Sequence, residues 1–154
     1  MKIEYRRLTE VASPDLIALM NHPLVRRHMP LASGRFDDSD CARFIATKER
    51  LWSEHGFGPW AFVVDGQLAG WGGLQPEQGE ADLALVLHPD YWGLGQRLFA
   101  DIIAQARVGG RHDSVIVLLP ATRIRVRGLR RLGFEQDGEV LLEGHRFIHY
   151  RLRL

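Results

Sequence analysis

The chain has 154 residues, with 20 lysines and arginines, 19 aspartates and glutamates, and a formal net charge of +1. This length accommodates one domain with its own hydrophobic core, so we expect a single domain over residues 1–154. A near-neutral charge gives no general attraction to nucleic acid or to a membrane surface, and neither is expected as a partner.

Cysteine usage and hydropathy indicate the cellular compartment in which the protein is expected to act. A single cysteine, Cys41, excludes an intramolecular disulfide and a cysteine-based metal cluster, and it suits a reducing compartment. The sequence has no apolar run long enough to span a membrane, and its start has no apolar signal-peptide core. We therefore expect a cytoplasmic protein, and no metal cofactor.

The first third of the chain predicts one strand and two helices. Residues 3–8 alternate weakly as a short strand, and Ser13 with Pro14 predicts the N-cap and first position of a helix. Residues 26–38 show no period and predict a loop. Asp38 or Ser39 is expected to cap a second helix that ends at His55-Gly56 and carries an inward stripe of Cys41, Phe44, Ile45, Lys48, Leu51 and Trp52.

The rest of the chain is dominated by strands. Asp65-Gly66 predicts a tight hairpin turn between two of them, and the apolar run 114–119 predicts a strand buried on both faces. The predicted strands are 59–64, 67–74, 80–87, 114–119 and an antiparallel pair that begins at Phe134 and turns at Gly144. Helices are predicted from Gly95 to Gly109 and over 123–132. This order predicts an α+β fold with a mixed sheet.

The glycine turn after the third strand is the most informative segment. Residues 83–103 run from a buried strand through Gly93-x-Gly95 into a helix. A helix N-terminus exposes N–H groups and partial positive charge, and glycines allow close backbone approach to a pyrophosphate and positive φ. Such turns are also common structural punctuation. Leu98 occupies the third-glycine position of the dinucleotide fingerprint, and no P-loop run exists, so binding of ATP or NAD lacks its motifs.

Residues 87–95, LHPDYWGLG, resemble the acetyl-CoA-binding turn of the GNAT superfamily. GPWAF (58–62), LAGWGGL (68–74) and RRLGF (130–134) are similar to further landmarks of its branch of ribosomal-protein N-terminal acetyltransferases. The resemblance covers about residues 3–152. It implies a GNAT fold, with a mixed, mostly antiparallel, splayed sheet flanked by about four helices.

The resemblance also implies a reaction. A GNAT protein transfers an acetyl group from acetyl-CoA to a primary amine, here a protein N-terminus or a small-molecule amine, by direct attack in a ternary complex. A homodimer is left open. The missing family tyrosine, replaced by Leu129, and an arginine where the turn usually has a small residue favour one alternative, a catalytically weak acyl-CoA-binding regulatory module.

By the same resemblance, backbone of the third strand would pair with the pantetheine arm, and the turn would surround the pyrophosphate. The residues implied are Leu85, Val86, Leu87, Trp92, Gly93, Leu94, Gly95, Gln96 and Arg97. The guanidinium of Arg97 either contacts a phosphate or remains solvated. Arg125 lies on the sheet-facing side of its predicted helix, unlike the neighbouring arginines, and is the arginine that we expect near the CoA phosphates.

The reaction requires a group that accepts the proton of the amine. An amine with a pKa of about 8 to 10 arrives mostly protonated, and a carboxylate or a water that it holds can take the proton. Asp82 and Glu80 share one face of the third strand by period 2. We rank Asp82 first, because it interrupts an apolar strand, although either residue can be a salt-bridged or solvent-facing charge. No acid is assigned, since a thiol with a pKa of about 8.5 leaves readily as thiolate.

Overall fold

A computed structural model describes residues 1–29, 31–32, 34–122 and 126–154. The strands are β1 Ile3–Arg6, β2 Pro59–Val64, β3 Gln67–Glu77, β4 Glu80–Leu87, β5 Ser114–Pro120, β6 Glu135–Leu142 and β7 His145–Arg153. The helices are α1 Ser13–Asn21, α2 Pro23–Arg26, α3 Asp38–His55, α4 Gly95–Gly109 and α5 Arg127–Leu132. Short 3-10 helices cover Leu8–Glu10 and Pro89–Leu94. The predicted order of elements is confirmed, with α2 added.

The strands form one open sheet in the order β1-β2-β3-β4-β5-β7-β6. Neighbouring strands are antiparallel except β4 and β5, which are parallel and share a single register pair, Asp82 with Ile116. Beyond this pair the two strands diverge. The predicted α+β fold with a mixed, mostly antiparallel, splayed sheet is confirmed.

Helices cover both faces of the sheet. Leu83 and Leu87 of β4 pack with the buried stripe of α4, which consists of Leu98, Ile102, Ile103 and Ala106. The opposite face carries α1 and α3, and there Ala84 and Val86 pack against a cluster that includes Leu16, Met20, Cys41 and Trp71. The period-2 division of β4 into two faces is therefore confirmed, and Cys41 is buried on the inner side of α3.

Both predicted helix caps in the first third are wrong. Ser13 is already helical, and the extended residue before it, Ala12, provides no side-chain cap to α1. Helix α3 is capped by Asp37, whose Oδ1 accepts a hydrogen bond from the backbone N–H of Asp40 at 2.8 Å. Asp40 reciprocates by accepting from the N–H of Asp37 at 3.0 Å. This capping box leaves Asp38 and Ser39 inside the first turn.

Other boundaries shift by a few residues. Strand β1 ends at Arg6 instead of Leu8, and β3 continues to Glu77 instead of Leu74. Helix α2 begins at Pro23, and the Nδ1 atom of His22 caps it by accepting from the N–H of Leu24 at 3.1 Å. The late helix, predicted from residue 123, is described from Arg127 onward, since residues 123–125 lie outside the described part. No helix in the described ranges is both long enough and apolar enough to cross a membrane.

Candidate functional site

The gap between β4 and β5 opens immediately after Asp82. On its other side, β4 stays paired with β3 along its whole length, from Glu77–Glu80 to Gly70–Leu87. The edge of β4 that faces β5 has no described strand partner from Leu83 to Leu87. The backbone edge predicted at Leu85, Val86 and Leu87 therefore lies in the gap, and extended backbone of this kind can pair with an amide-containing chain.

The predicted phosphate turn follows directly. Pro89–Leu94 form a 3-10 helix that runs into α4 at Gly95, whose φ of −54° is right-handed helical. Neither Gly93 nor Gly95 has positive φ, so the turn does not use the left-handed conformations that glycine allows. A Cβ at Gly93 would meet no atom within 4 Å, and one at Gly95 would only touch the Leu85 and Leu87 side chains at 3.6 and 3.9 Å. The protein itself does not require these glycines, and the space beside Gly93 is open.

The side chains of the turn point in different directions. Gln96 Nε2 donates to the carbonyl of Gly128 at 3.1 Å and so links α4 to α5. Arg97 Nε lies 3.9 Å from Asp101 Oδ2, which accepts from the hydroxyl of Tyr5 at 2.7 Å. Burial, reinforced by this hydrogen bond to Asp101, raises the pKa of Tyr5. Arg97 is therefore held on the β1 side of the helix, and Gln96 on the α5 side.

The remaining predicted residues of the turn border the same opening. Trp92 is 47% exposed, and its indole Nε1 donates to the carbonyl of Leu87 at 3.0 Å. Leu94 is half-buried against the core on the α4 side of the sheet. The end of β4, the turn and the first residues of α4 are thus one contiguous surface at the mouth of the gap. Arg125 lies outside the described residues and stays a prediction.

Asp82 lies on the α3 side of the sheet, opposite Gln75 of β3. Lys48 of α3 donates a hydrogen bond to Gln75 Oε1, and its ammonium lies 5.1 Å from the ring centre of Trp71. Burial and, to a smaller extent, the nearby Glu77 carboxylate raise the pKa of Asp82 to about 7, against the lowering effect of Lys48. Burial also lowers the pKa of Lys48. A carboxyl group that titrates near neutral pH can act as a proton acceptor.

Glu80, the other predicted carboxylate, is in an ion pair. Its Oε2 accepts from Arg151 Nη1 at 2.6 Å, and Arg151 also donates to Ser114 Oγ and to Asp137 Oδ2, each at 2.7 Å. The Nδ1 atom of His149 is buried without a hydrogen-bond partner among the described residues and lies 3.9 Å from Asp137 Oδ2. Glu80 shares the strand face of Asp82, but its carboxylate is already paired with the guanidinium of Arg151.

Sequence reasoning assigned no role to Lys48. It is the only charged member of the predicted inward stripe of α3, and a charge in an apolar stripe is the signal that could have identified it. Leu129, at the position of the family tyrosine, is buried and offers no acid. In the described residues, no three histidine, cysteine or carboxylate side chains form a group that could hold a metal ion.

Comparisons with known proteins agree with this geometry. A family model described as acetyltransferase (GNAT) domain matches residues 2–135. No curated protein gives a significant match. Among solved structures, a putative GnaT-family acetyltransferase from Bordetella pertussis has a TM-score of 0.77 at 15% identity, covering 98% of this chain and 99% of that one.

Two further structures share the fold. The ribosomal-protein-alanine N-acetyltransferase from Brucella melitensis has a TM-score of 0.71 at 19% identity, with 100% of both chains covered. The putative acetyltransferase YncA from Salmonella typhimurium, solved with acetyl-CoA, has a TM-score of 0.69 at 18% identity, covering 99% of this chain and 93% of that one. With the family model spanning most of its length, the chain belongs to the GNAT acetyltransferases, enzymes that take their acetyl group from acetyl-CoA.

Proposed function

We propose that this chain transfers the acetyl group of acetyl-CoA to a primary amine, of a protein N-terminus or of a small molecule, by direct attack in a ternary complex. It would act in the cytoplasm as a single domain over residues 1–154. One observation carries the proposal: Asp82, whose pKa is raised to about 7, lies where β4 and β5 part. This location brings a proton acceptor to the closed end of a gap whose open end borders a helix N-terminus.

The donor would bind along the open part of the gap. The unpaired backbone at Leu85, Val86 and Leu87 offers hydrogen bonds to the two amides of a pantetheine arm. The open space beside Gly93 and the N-terminal end of α4 would receive the pyrophosphate. Bordering contacts would come from Trp92, Leu94, Gly95, Gln96, Arg97 and Arg125. An Arg97 contact requires its side chain to leave Asp101.

Asp82 would prepare the acceptor amine for attack. Its carboxylate attracts the ammonium form and then takes one proton, directly or through one water. The amine nitrogen bonds to the carbonyl carbon of the thioester, the carbon–sulfur bond breaks and the thiolate leaves. The second proton of the nitrogen is then released to solvent, and solvent protonates the thiolate. Backbone N–H groups at the free edge of β4 can stabilise the negative charge that develops on the carbonyl oxygen.

The test compares Asp82→Asn with Glu80→Gln by measuring release of the CoA thiol with a panel of amines. We expect Asp82→Asn to lower kcat by about 10²- to 10⁴-fold, the usual contribution of a general base. Wild-type kcat should rise with pH along a limb near 7, and this limb should be absent in Asp82→Asn. The acetyl-CoA dissociation constant should be unchanged, because Asp82 is remote from the phosphate turn.

Two results would contradict this assignment. If kcat falls less than about threefold in Asp82→Asn but falls strongly in Glu80→Gln, then Glu80, which is paired with Arg151, is the base. Binding of acetyl-CoA without thiol release for any amine would instead support the regulatory acyl-CoA-binding module, for which the buried Leu129 in place of an acid is the motivating feature.

A further inference from the structure

A cavity of about 500 Å³ lies between α3 and the segment that joins α2 to α3. We call it the α3 cavity. Its volume is within the range of small-molecule sites, which is about 300 to 1,000 Å³. Apolar side chains form part of its wall, namely Met20, Met29, Phe36 and Phe44. The charged side chains that line it are four cations and one carboxylate, namely Arg26, Arg35, Arg43, Lys48 and Asp40.

Half of the positive charge in the α3 cavity is not neutralised by carboxylates of the described residues. Arg43 pairs with Asp40, the carboxylate that also completes the cap of α3. Arg26 donates only to backbone carbonyls, those of Met20 and Gly34. Arg35 is exposed and forms no hydrogen bond or ion pair with another described residue. Two guanidinium groups thus face the cavity without a carboxylate partner in the described chain.

The cavity extends towards Asp82. Phe44 and Lys48 form its wall on α3, and the Lys48 ammonium bonds to Gln75, the residue that pairs with Asp82 across β3 and β4. A ligand in the cavity could therefore reach from the arginines to Lys48, which bonds to the strand neighbour of the proposed base, and apolar side chains line the same cavity. A second cation on the ligand would be repelled by the unpaired guanidinium groups, whereas an anion would be attracted to them.

We infer that the acceptor is a small amine that also carries an anionic group, separated from the amine by an apolar spacer. The inference rests on the proposed function and names the substrate class of the same site. Arg35 is the residue that would discriminate the anionic group, because it is the cavity cation that is free of other described interactions. It does not contact the reacting atoms, so it would act on specificity and not on the chemical step.

The experiment uses pairs of acceptors that differ only in charge at the end remote from the amine. Suitable probes are para-(aminomethyl)benzoic acid and ε-aminocaproic acid, each against its own amide, with spermidine as a polycationic acceptor. We expect kcat/KM to be at least about tenfold higher for each acid than for its amide, a difference of about 1.4 kcal/mol. Arg35→Gln should remove this preference while leaving kcat/KM for the amides unchanged.

The matched control is Arg107→Gln, which removes an exposed arginine of α4, outside the cavity lining, and should leave the preference intact. Amides that react as well as the acids, an Arg35→Gln variant that behaves like the control, or a higher kcat/KM for spermidine than for both acids would overturn the inference. All three leave amine acetylation standing. Failure to acetylate any amine of the panel, including peptides, would remove the proposed function and this inference with it.

Discussion

Asp82 holds a carboxyl group within a layer of apolar side chains, and this location affects folding as well as chemistry. In the unfolded chain the pKa of this group is near its ordinary value of 3.8, whereas in the native state it is about 7. Between these two values the native state binds more protons than the unfolded state. The free energy of unfolding must therefore fall as pH rises through this window.

Asp82→Asn should remove this dependence. Between pH 5 and pH 8 the free energy of unfolding should fall by about 2.6 kcal/mol more in wild type than in Asp82→Asn, since a unit of pKa difference corresponds to about 1.4 kcal/mol. Urea unfolding of both proteins at the two pH values measures the difference, and titrating groups that do not interact with Asp82 cancel in it. Parallel pH dependences would mean that Asp82 titrates in the native state as it does in the unfolded one.

Replacing Lys48 provides a second test of the pKa of Asp82. The positive charge of Lys48 lowers the pKa of Asp82 against the effect of burial. In Lys48→Met, an apolar side chain of similar length should fill the space beside Trp71, and the limb of the kcat profile should move to higher pH than in wild type. Lys48→Arg retains the charge and serves as the control. A limb that stays in place in Lys48→Met would show that the two groups do not interact.

At the scale of elements, the 3-10 turn and α4 allow affinity to be separated from stability. Gly93 has negative φ and open space where a Cβ would be, so Gly93→Ala should fold with equal or slightly greater stability, by about 0.4 to 1 kcal/mol. The added methyl group would occupy the space proposed for the pyrophosphate, and acetyl-CoA affinity should fall more than tenfold. Titration calorimetry measures this loss.

Gly109→Ala is the matched control for that experiment. Gly109 is the last residue of the same helix, and a Cβ there also meets no atom within 4 Å. Because Gly109 lies at the opposite end of α4 from the turn, the Gly109→Ala variant should bind acetyl-CoA with the affinity of wild type. Equal affinity in Gly93→Ala would mean that the phosphates bind away from this turn.

The capping box of α3 gives a second prediction at this scale. Asp37→Ala removes the acceptor for the N–H of Asp40 and should lower the free energy of unfolding by about 1 kcal/mol. Asp38→Ala, one residue further, removes no cap and should change stability by less than about 0.5 kcal/mol. Chemical denaturation of the two variants compares them directly, and a larger loss for Asp38→Ala would contradict the observed cap.

The sequence predicts elements well where local chemistry decides them. The Asp65-Gly66 turn has φ of 48° and 82°, as a tight hairpin requires, and β4 has its predicted bounds because Gly79 and Pro89 flank it. The predicted cap of α3 is wrong because four side-chain acceptors stand in a row at residues 37–40, and the direction of the chain before the helix selects among them. The proximity of Lys48 to Asp82 depends on how α3 packs on β3, which no local spacing encodes.

At the scale of the whole molecule, donor binding should appear as a gain in stability. The proposed donor contacts in the described residues are distributed over β4, the 3-10 turn and α4, all of which form only in the native state. At acetyl-CoA concentrations of about 100 times the dissociation constant, linkage adds about 2.7 kcal/mol. For a chain of this size the melting temperature should rise by roughly 5 to 11 °C.

ATP and NAD provide the comparison in the same thermal-shift measurement. Both carry phosphates that a helix N-terminus could attract, but neither has a pantetheine arm to pair with the free edge of β4. We expect neither to raise the melting temperature at matched concentrations. A rise with ATP or NAD as large as that with acetyl-CoA would indicate a general nucleotide site.

The single register pair of Asp82 with Ile116 divides the seven-stranded sheet into two parts, β1–β4 and β5–β7–β6. Helix α4 contacts both parts of the sheet. Its Asp101 accepts a hydrogen bond from Tyr5 of β1, in the first part. Its Gln96 donates a hydrogen bond to Gly128 of α5, the helix that leads into β6 of the second part. A change in the angle between the two parts would alter the width of the gap more at its mouth than at Asp82. A donor bound as proposed could then enter or leave while the geometry around Asp82 stays fixed.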